Sequence, residues 1–200
     1  MAEPKGLTGL VQEIFSDIKT VEKKREQIKL DWNQTGSEWE FHRILDERKS
    51  LCFMLKKVLE YGGREIPEEL INEISAWCLE KVPSGDFIKT AAHQEYFYLA
   101  CDLTRTYSTS AALKDEIFQH ILASNIPHEA ELATVLAKEF YDRSLNDEEI
   151  LRLVNNYTHG GMSSTENIRW YEKMARIYGS EACQSKVLVL LDEMRQPHFD

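Results

Sequence analysis

The stretch that decides the fold is 130–194, AELATVLAKEFYDRSLNDEEILRLVNNYTHGGMSSTENIRWYEKMARIYGSEACQSKVLVLLDEM. It contains one unit twice: a helical segment that ends in a tyrosine, a short polar turn, and a shorter helical segment. The two tyrosines are Tyr141 and Tyr178. Apolar residues recur in these segments every three or four positions, which is typical of a helix with one buried face. The stretch therefore predicts helices that pack in pairs.

The same pattern, a tyrosine followed by a polar turn, recurs towards the N-terminus. Tyr61 and Tyr107 also precede polar turns, and the four tyrosines lie 46, 34 and 37 residues apart. Such periods are typical of tetratricopeptide and HEAT repeats, in which stacked helical hairpins cover one another's apolar faces. We expect an all-α fold of stacked antiparallel hairpins with about nine helices. We expect Tyr107, Tyr141 and Tyr178 to end the first helix of successive hairpins. An irregular helical bundle is the alternative.

The predicted helices differ in length along the chain, and this difference indicates its domain organisation. A long helical hairpin is predicted for 1–61, an array of shorter hairpins in the same globular unit for 62–196, and a free tail for 197–200. Four local signals predict helix starts: Ser37 with Glu40, Asn146 with Glu149, Ser163 with Glu166, and Ser180. In the first three, a small polar residue three positions before an acid is typical of a capping box.

The sequence predicts one solvated helix face and one buried apolar run. The second half of the first helix is charged, and its neighbouring charges are predicted to pair along a solvated face. They are Glu22, Arg25, Glu26 and Lys29. In the last helix, 187–191 is apolar nearly all round and is predicted to be buried.

Net charge limits the class of partner. The chain carries −10 overall; residues 1–60 hold 11 basic and 11 acidic side chains, whereas residues 61–200 hold 13 basic and 23 acidic ones. An acidic surface disfavours nucleic acid and anionic membranes and favours a protein with a basic surface. The excess could instead serve solubility alone.

Several features favour a cytoplasmic protein. No apolar run approaches the length of a membrane-spanning helix, and the first residues are polar. The cysteines are scattered, without a CxxC pair, and are predicted to be reduced core residues. They are Cys52, Cys78, Cys101 and Cys183.

No motif indicates catalysis, a cofactor or a metal. The spacings that zinc, iron or phosphate sites need are missing, so we expect no tightly bound metal and no hydrolytic activity. The best polar pocket candidates are His93, Glu95 and Tyr98 on the fourth helix. They support an alternative reading, an enzyme or small-ligand protein with a pocket between the fourth and sixth helices.

The favoured reading is a non-enzymatic interaction module: an adaptor, an inhibitor or an immunity-type protein that binds a basic partner. Acids are concentrated around the turn between the sixth and seventh helices. Acids in the first turn of the seventh helix favour its dipole, whereas those ending the sixth helix oppose the dipole there. We name this cluster the acidic corner and predict that it binds the partner. It comprises Glu129, Glu131, Glu139, Asp142, Asp147, Glu148 and Glu149.

Overall fold

The computed structural model describes residues 6–35, 38–62, 65–82, 91–124, 127–159 and 164–195; the side chains at 29–35, 38–39, 91–93 and 127–129 lie outside this description. Within these residues the chain forms nine α-helices and no strand. They are α1 (Leu7–Thr35), α2 (Glu38–Gly62), α3 (Glu68–Glu80), α4 (Ala91–Tyr107), α5 (Ala111–Leu122), α6 (Pro127–Tyr141), α7 (Asp147–His159), α8 (Thr165–Tyr178) and α9 (Glu181–Arg195).

The all-α prediction is confirmed. Helix accounts for 89% of the described residues, and adjacent helices contact one another as in a helical bundle or a repeat arrangement. Among these helices, none is both long and apolar enough to cross a membrane. Contacts divide the chain into two compact units, with α1 to α4 in the first and α5 to α9 in the second. The division follows Ser110, whereas the sequence predicts a change of helix proportions after Tyr61.

The first unit is built from two helix pairs, α1 with α2 and α3 with α4, and α2 also contacts α4. The predicted apolar face of α1 is buried at Val11, Ile14, Ile18 and Val21. One expectation about α1 is wrong: Glu22 does not lie on a solvated face but is 1% exposed. The reason is that its carboxylate accepts a hydrogen bond from the buried Tyr96 hydroxyl on α4.

The second unit pairs α5 with α6 and packs α9 against both α7 and α8. The Tyr157 and Tyr171 rings stack in its core with centroids 4.6 Å apart. The backbone amide of Ser180, just before α9, donates to the carboxylate of Asp147, the first residue of α7 (2.9 Å). Because these two helices pack together and begin side by side, they run in the same direction.

The tyrosines lie at helix ends, but they do not occupy equivalent positions in successive helix pairs. Tyr107, Tyr141 and Tyr178 are the last residues of α4, α6 and α8, as the sequence predicts. However, α4 pairs with α3 and α6 pairs with α5, so Tyr107 and Tyr141 end the second helix of a pair. The prediction that each ends a first helix is therefore wrong at these two positions. Local sequence shows where a helix stops, whereas pairing depends on contacts between distant residues.

The apolar run 187–191 in α9 is only partly buried, although the sequence predicts that the whole run is buried. Val187 and Leu191 are fully buried, but Leu188 is 39% exposed and Val189 is 61% exposed. Neighbours α7 and α8 cover one side of the helix. A continuous apolar run does not reveal which side of a helix lacks a neighbour, so the exposed side was not predictable from its composition.

Candidate functional site

The acidic corner is built on a rigid turn between α6 and α7. The Asn146 side chain accepts from the Glu149 amide (3.0 Å), and the Glu149 carboxylate accepts from the Asn146 amide (2.9 Å). This reciprocal pair is the predicted capping box. The Arg143 guanidinium donates two further hydrogen bonds to Glu149, at 2.8 and 2.7 Å. Burial alone would raise the pKa of Glu149, but the hydrogen bonds from Arg143 and the Asn146 amide outweigh it and lower that pKa.

Asp142 directly follows α6 and has an unusual backbone conformation. Its φ of 51° lies in the left-handed region, which commonly terminates a helix and which Asp tolerates better than most residues. The Lys138 ammonium donates to its carboxylate at 2.5 Å, and this contact lowers the pKa of Asp142. An acid near a helix C-terminus opposes the dipole, but here the preceding turn of the helix supplies a cation that compensates.

Asp147 has a structural role. Its carboxylate accepts from the Ser180 hydroxyl (2.5 Å) and the Ser180 amide (2.9 Å), and these bonds lower the pKa of Asp147. The Ser180 hydroxyl in turn accepts from the Cys183 amide (3.2 Å), as expected of the predicted start of α9. Asp147 therefore joins the first turn of α7 to that of α9. The related prediction for α8 is shifted by one residue, since Ser164 caps that helix by accepting from Asn167.

The remaining members of the acidic corner face solvent or lie outside the described side chains. Glu139 and Glu148 are exposed, one on α6 and the other in the first turn of α7. Glu131 is exposed and lines a groove between α6 and α8 with Trp170 and Tyr178. Glu129 lies outside the described side chains. The structure thus divides the predicted partner-binding acids into a structural set and an exposed set. Whether the exposed set binds a partner stays a prediction.

The first unit contains a charged site that the sequence did not indicate. We name it the buried charge network; it comprises Glu22, Arg25, Arg48, Glu95 and Tyr96. Arg25 pairs with Glu22, and the Tyr96 hydroxyl donates to the other Glu22 oxygen at 2.8 Å. Arg48, only 1% exposed, donates to Glu95 at 2.8 and 3.1 Å and lies over the Tyr96 ring. The network therefore links α1, α2 and α4 through groups that are 47 and 74 residues apart.

Of the predicted pocket residues, Glu95 belongs to this network and Tyr98 lies on the same helix. Glu95 and Tyr98 line a groove of about 240 Å³, which we name the α2–α4 groove. Its other lining residues, among those described, come from the same two helices, and a pocket between the fourth and sixth helices stays a prediction. They are Lys49, Cys52, Phe53, Lys56, Leu99 and Asp102. The side chain of His93 lies outside the described residues.

The α2–α4 groove has little chemical reactivity of its own. Its two carboxylates are already paired, Glu95 with Arg48 and Asp102 with Lys56. Burial raises the pKa of the Cys52 thiol to about 12, although Arg48 opposes the shift, so this sulfur is a protonated, weak nucleophile at neutral pH. All four cysteines are free. Cys78, Cys101 and Cys183 are buried in the core as predicted, whereas Cys52 is only half-buried and lines this groove.

Comparison of the chain with protein-family models, curated proteins and solved structures finds no match. The function must therefore be inferred from the surfaces themselves. Within the described part of the chain, no three His, Cys, Asp or Glu side chains come together as a metal-binding group. Two surfaces of the second unit combine exposed side chains of one kind: the acids of the acidic corner and the apolar residues Leu188 and Val189 of α9.

Proposed function

We propose that this chain is a non-enzymatic protein-interaction module that binds a basic segment of another protein through exposed acids of its second unit. An adaptor, an inhibitor and an immunity-type protein all fit this class. The observation that supports it is the acidic corner, where exposed carboxylates stand on a turn fixed by side-chain hydrogen bonds. A basic partner and a cytoplasmic location are both part of the proposal.

The first argument is rigidity. The turn is held by the capping box between Asn146 and Glu149 and by the two hydrogen bonds from Arg143 to Glu149. A surface that is already ordered loses less conformational entropy on binding. Glu139 and Glu148 are therefore presented on a frame that does not have to form when a partner arrives.

The second argument is charge. Residues 111–200 contain 15 acidic and 9 basic side chains. Clustered charge of one sign steers an oppositely charged partner during encounter and favours it over acidic competitors. Because these acids are exposed, salt should screen their effect on a scale of about 8–10 Å at physiological ionic strength. Binding should therefore be fast and should weaken as salt is added.

The alternative reading, a small-ligand protein or enzyme, has weaker support. The α2–α4 groove is its best location, but Glu95 and Asp102 are paired within the protein and are not available to fix a ligand without breaking those pairs. Elemental analysis of protein purified without chelators distinguishes an interaction module from a metal-dependent enzyme or ligand-binding protein. Stoichiometric iron, zinc or manganese would favour the alternative.

The experiment uses charge reversal at Glu148 with a matched control. Glu148→Lys and Glu166→Lys each replace an exposed acid in the first turn of a helix, so both should lose a similar dipole interaction, about 0.3–1 kcal/mol. Tagged wild type and both variants are used for capture from source lysate at low and raised salt, with quantitative mass spectrometry.

We expect a set of basic proteins that the wild type and Glu166→Lys retain at low salt and that Glu148→Lys loses. Raised salt should release the same set from the wild type. Asp142 is unsuited to this test, because reversing its charge would also repel Lys138. The proposal is wrong if Glu148→Lys, folded by circular dichroism, retains every partner that the wild type retains.

A further inference from the structure

We propose that the groove between α7 and α9 binds an amphipathic basic helix of the partner. The proposal rests on the proposed function and deepens it, since it names the partner's structural class and the place where its apolar side is buried. We name the site the α7–α9 groove. It has a volume of about 480 Å³ and is lined by Leu151, Asn155, Ser185, Lys186, Val189 and Leu190.

The floor of the groove is apolar and accessible. Val189 is 61% exposed and its neighbour Leu188 is 39% exposed, in a helix whose other apolar side, at Val187 and Leu191, is fully buried. Leu151 and Leu190 are half-buried beside Val189. Contiguous exposed apolar side chains of this kind mark interaction sites in folded proteins.

The shape of the groove favours a helix as its occupant. The lining comes from two packed helices that run in the same direction, and an amphipathic helix typically lays its apolar stripe into a hydrophobic groove of this kind. The direction is fixed by the contact between Ser180 and Asp147 at the start of both helices. A third helix placed there would cover Val189 and Leu190 as α8 covers the opposite side of α9.

Acids flank both ends of the apolar floor. At the end where both helices begin, Glu148 precedes Leu151 by three residues and Glu181 precedes Ser185 by four, so each lies one turn beyond the lining on the same helix face. At the other end, Glu193 follows Val189 by four residues. All three acids are exposed.

Lys186 is an exposed base within the lining. The alkyl stem of a lysine can also cover apolar surface while its ammonium stays in water. Lys186 is therefore compatible with an apolar floor between acidic ends.

The spacing of the acids predicts the spacing of the partner's bases. Glu181 and Glu193 are 12 residues apart on α9, about 18 Å along the helix axis at the standard rise. A partner helix should therefore carry Lys or Arg about three turns apart, with apolar residues on the same face between them. Because both ends of the groove are acidic, the partner can lie in either direction.

The experiment measures binding of synthetic peptides to the full chain by fluorescence anisotropy. The first probe is a helix-forming peptide of about 16 residues with leucines on one face and lysines at both ends. The second has the same composition in scrambled order. The third replaces every lysine of the first with glutamate. The protein variants are Val189→Asp and, as a control, Ile177→Asp, which changes a 57% exposed residue on α8 outside the groove.

We expect the amphipathic basic peptide to bind at least about tenfold more tightly than the scrambled one, since only it can bury its leucines together. Val189→Asp should remove that difference, and Ile177→Asp should preserve it. Circular dichroism and thermal melting establish that both variants are folded. Sedimentation of the protein alone should show no dimer that Val189→Asp dissociates.

The possible failures are distinguishable. If the two basic peptides bind equally and Val189→Asp weakens neither, the groove is wrong, whereas binding that Glu148→Lys weakens still supports the proposed function. If neither basic peptide binds, the groove is wrong, and the capture experiment with Glu148→Lys decides the proposed function separately. If the glutamate peptide binds as well as the lysine peptide, the assigned charge of the occupant is wrong. A dimer that Val189→Asp dissociates would assign the groove to a second copy of this chain and overturn the proposal.

Discussion

The two units place their charged side chains differently. In the first unit, Glu22 and Arg48 are each 1% exposed and belong to the buried charge network. In the second unit, every charged side chain that the structure describes is at least partly exposed, and the core is formed by apolar and aromatic residues such as Tyr157 and Tyr171. Among the described residues, the first unit therefore buries two charged side chains in its core, whereas the second unit buries none.

This difference has consequences for stability and binding. Burying charges costs desolvation energy, so the network contributes little net stability but makes the loss of any single partner costly. It also restricts how α1, α2 and α4 can pack, because other arrangements would leave buried charges unpaired. The exposed acids of the second unit contribute little to stability.

The largest expected effect comes from Arg48→Met. Removing this guanidinium leaves the Glu95 carboxylate without the hydrogen bonds it accepts from Arg48, in a largely buried site, and should lower the free energy of unfolding by about 3–5 kcal/mol. The control is Arg195→Met on α9, whose ion pairs with Glu172 and Asp192 involve a 43% exposed guanidinium. That change should cost less than about 1 kcal/mol. Urea unfolding followed by circular dichroism measures both, and equal effects would contradict the comparison.

A smaller effect is expected from Tyr96→Phe. The change removes the hydroxyl that donates to Glu22 at 2.8 Å in a fully buried position, and hydrogen bonds to charged groups contribute about 1.5–3 kcal/mol. The matched change is Tyr141→Phe in the second unit, which removes a 2.6 Å bond to the exposed Asp115. Water can replace that bond, so the loss should be below about 1 kcal/mol. If Tyr141→Phe lowers the free energy of unfolding more than Tyr96→Phe does, the claim that buried polar contacts stabilise the first unit more than the second is wrong.

The sequence predicted the local parts of the structure well and the long-range parts poorly. Helix ends depend on neighbouring residues, and the Asn146–Glu149 capping box and the start of α9 at Ser180 were both correctly located. Glu22 was misplaced because its buried partner Tyr96 is 74 residues away. A charged residue beside an apolar face looks solvated until that distant partner is known.

In the candidate site too, the sequence predicted the local features and missed those that depend on distant residues. The acidic corner could be located because its acids are close in sequence, but the roles of Asp147 and Glu149 depend on Ser180 and Arg143. The exposure of Val189 could not be predicted, because apolar composition favours burial and the uncovered side of α9 depends on where α7 and α8 pack.

The smallest expected effect concerns pH. Burial lowers the pKa of His120 below its ordinary value of 6.5, although Glu116 opposes the shift. The unfolded chain therefore binds a proton at a higher pH than the folded protein, and this histidine's contribution to stability is lost as pH falls from 6.5 towards its lowered folded pKa. His120→Gln should reduce the fall in the urea midpoint between about pH 7.5 and about pH 5.5. The exposed His42, changed to Gln, is the control, and an identical fall in both variants would contradict the prediction.

The most direct test of the division between a structural first unit and a binding second unit is a heteronuclear NMR titration of the labelled full chain with the amphipathic basic peptide. We predict that the largest amide shift changes fall on α7 and α9, around Leu151, Val189 and Glu148, and that residues of the α2–α4 groove such as Tyr98 and Leu99 keep their positions. Shift changes centred on Tyr98 and Leu99, with α7 and α9 unaffected, would contradict the account.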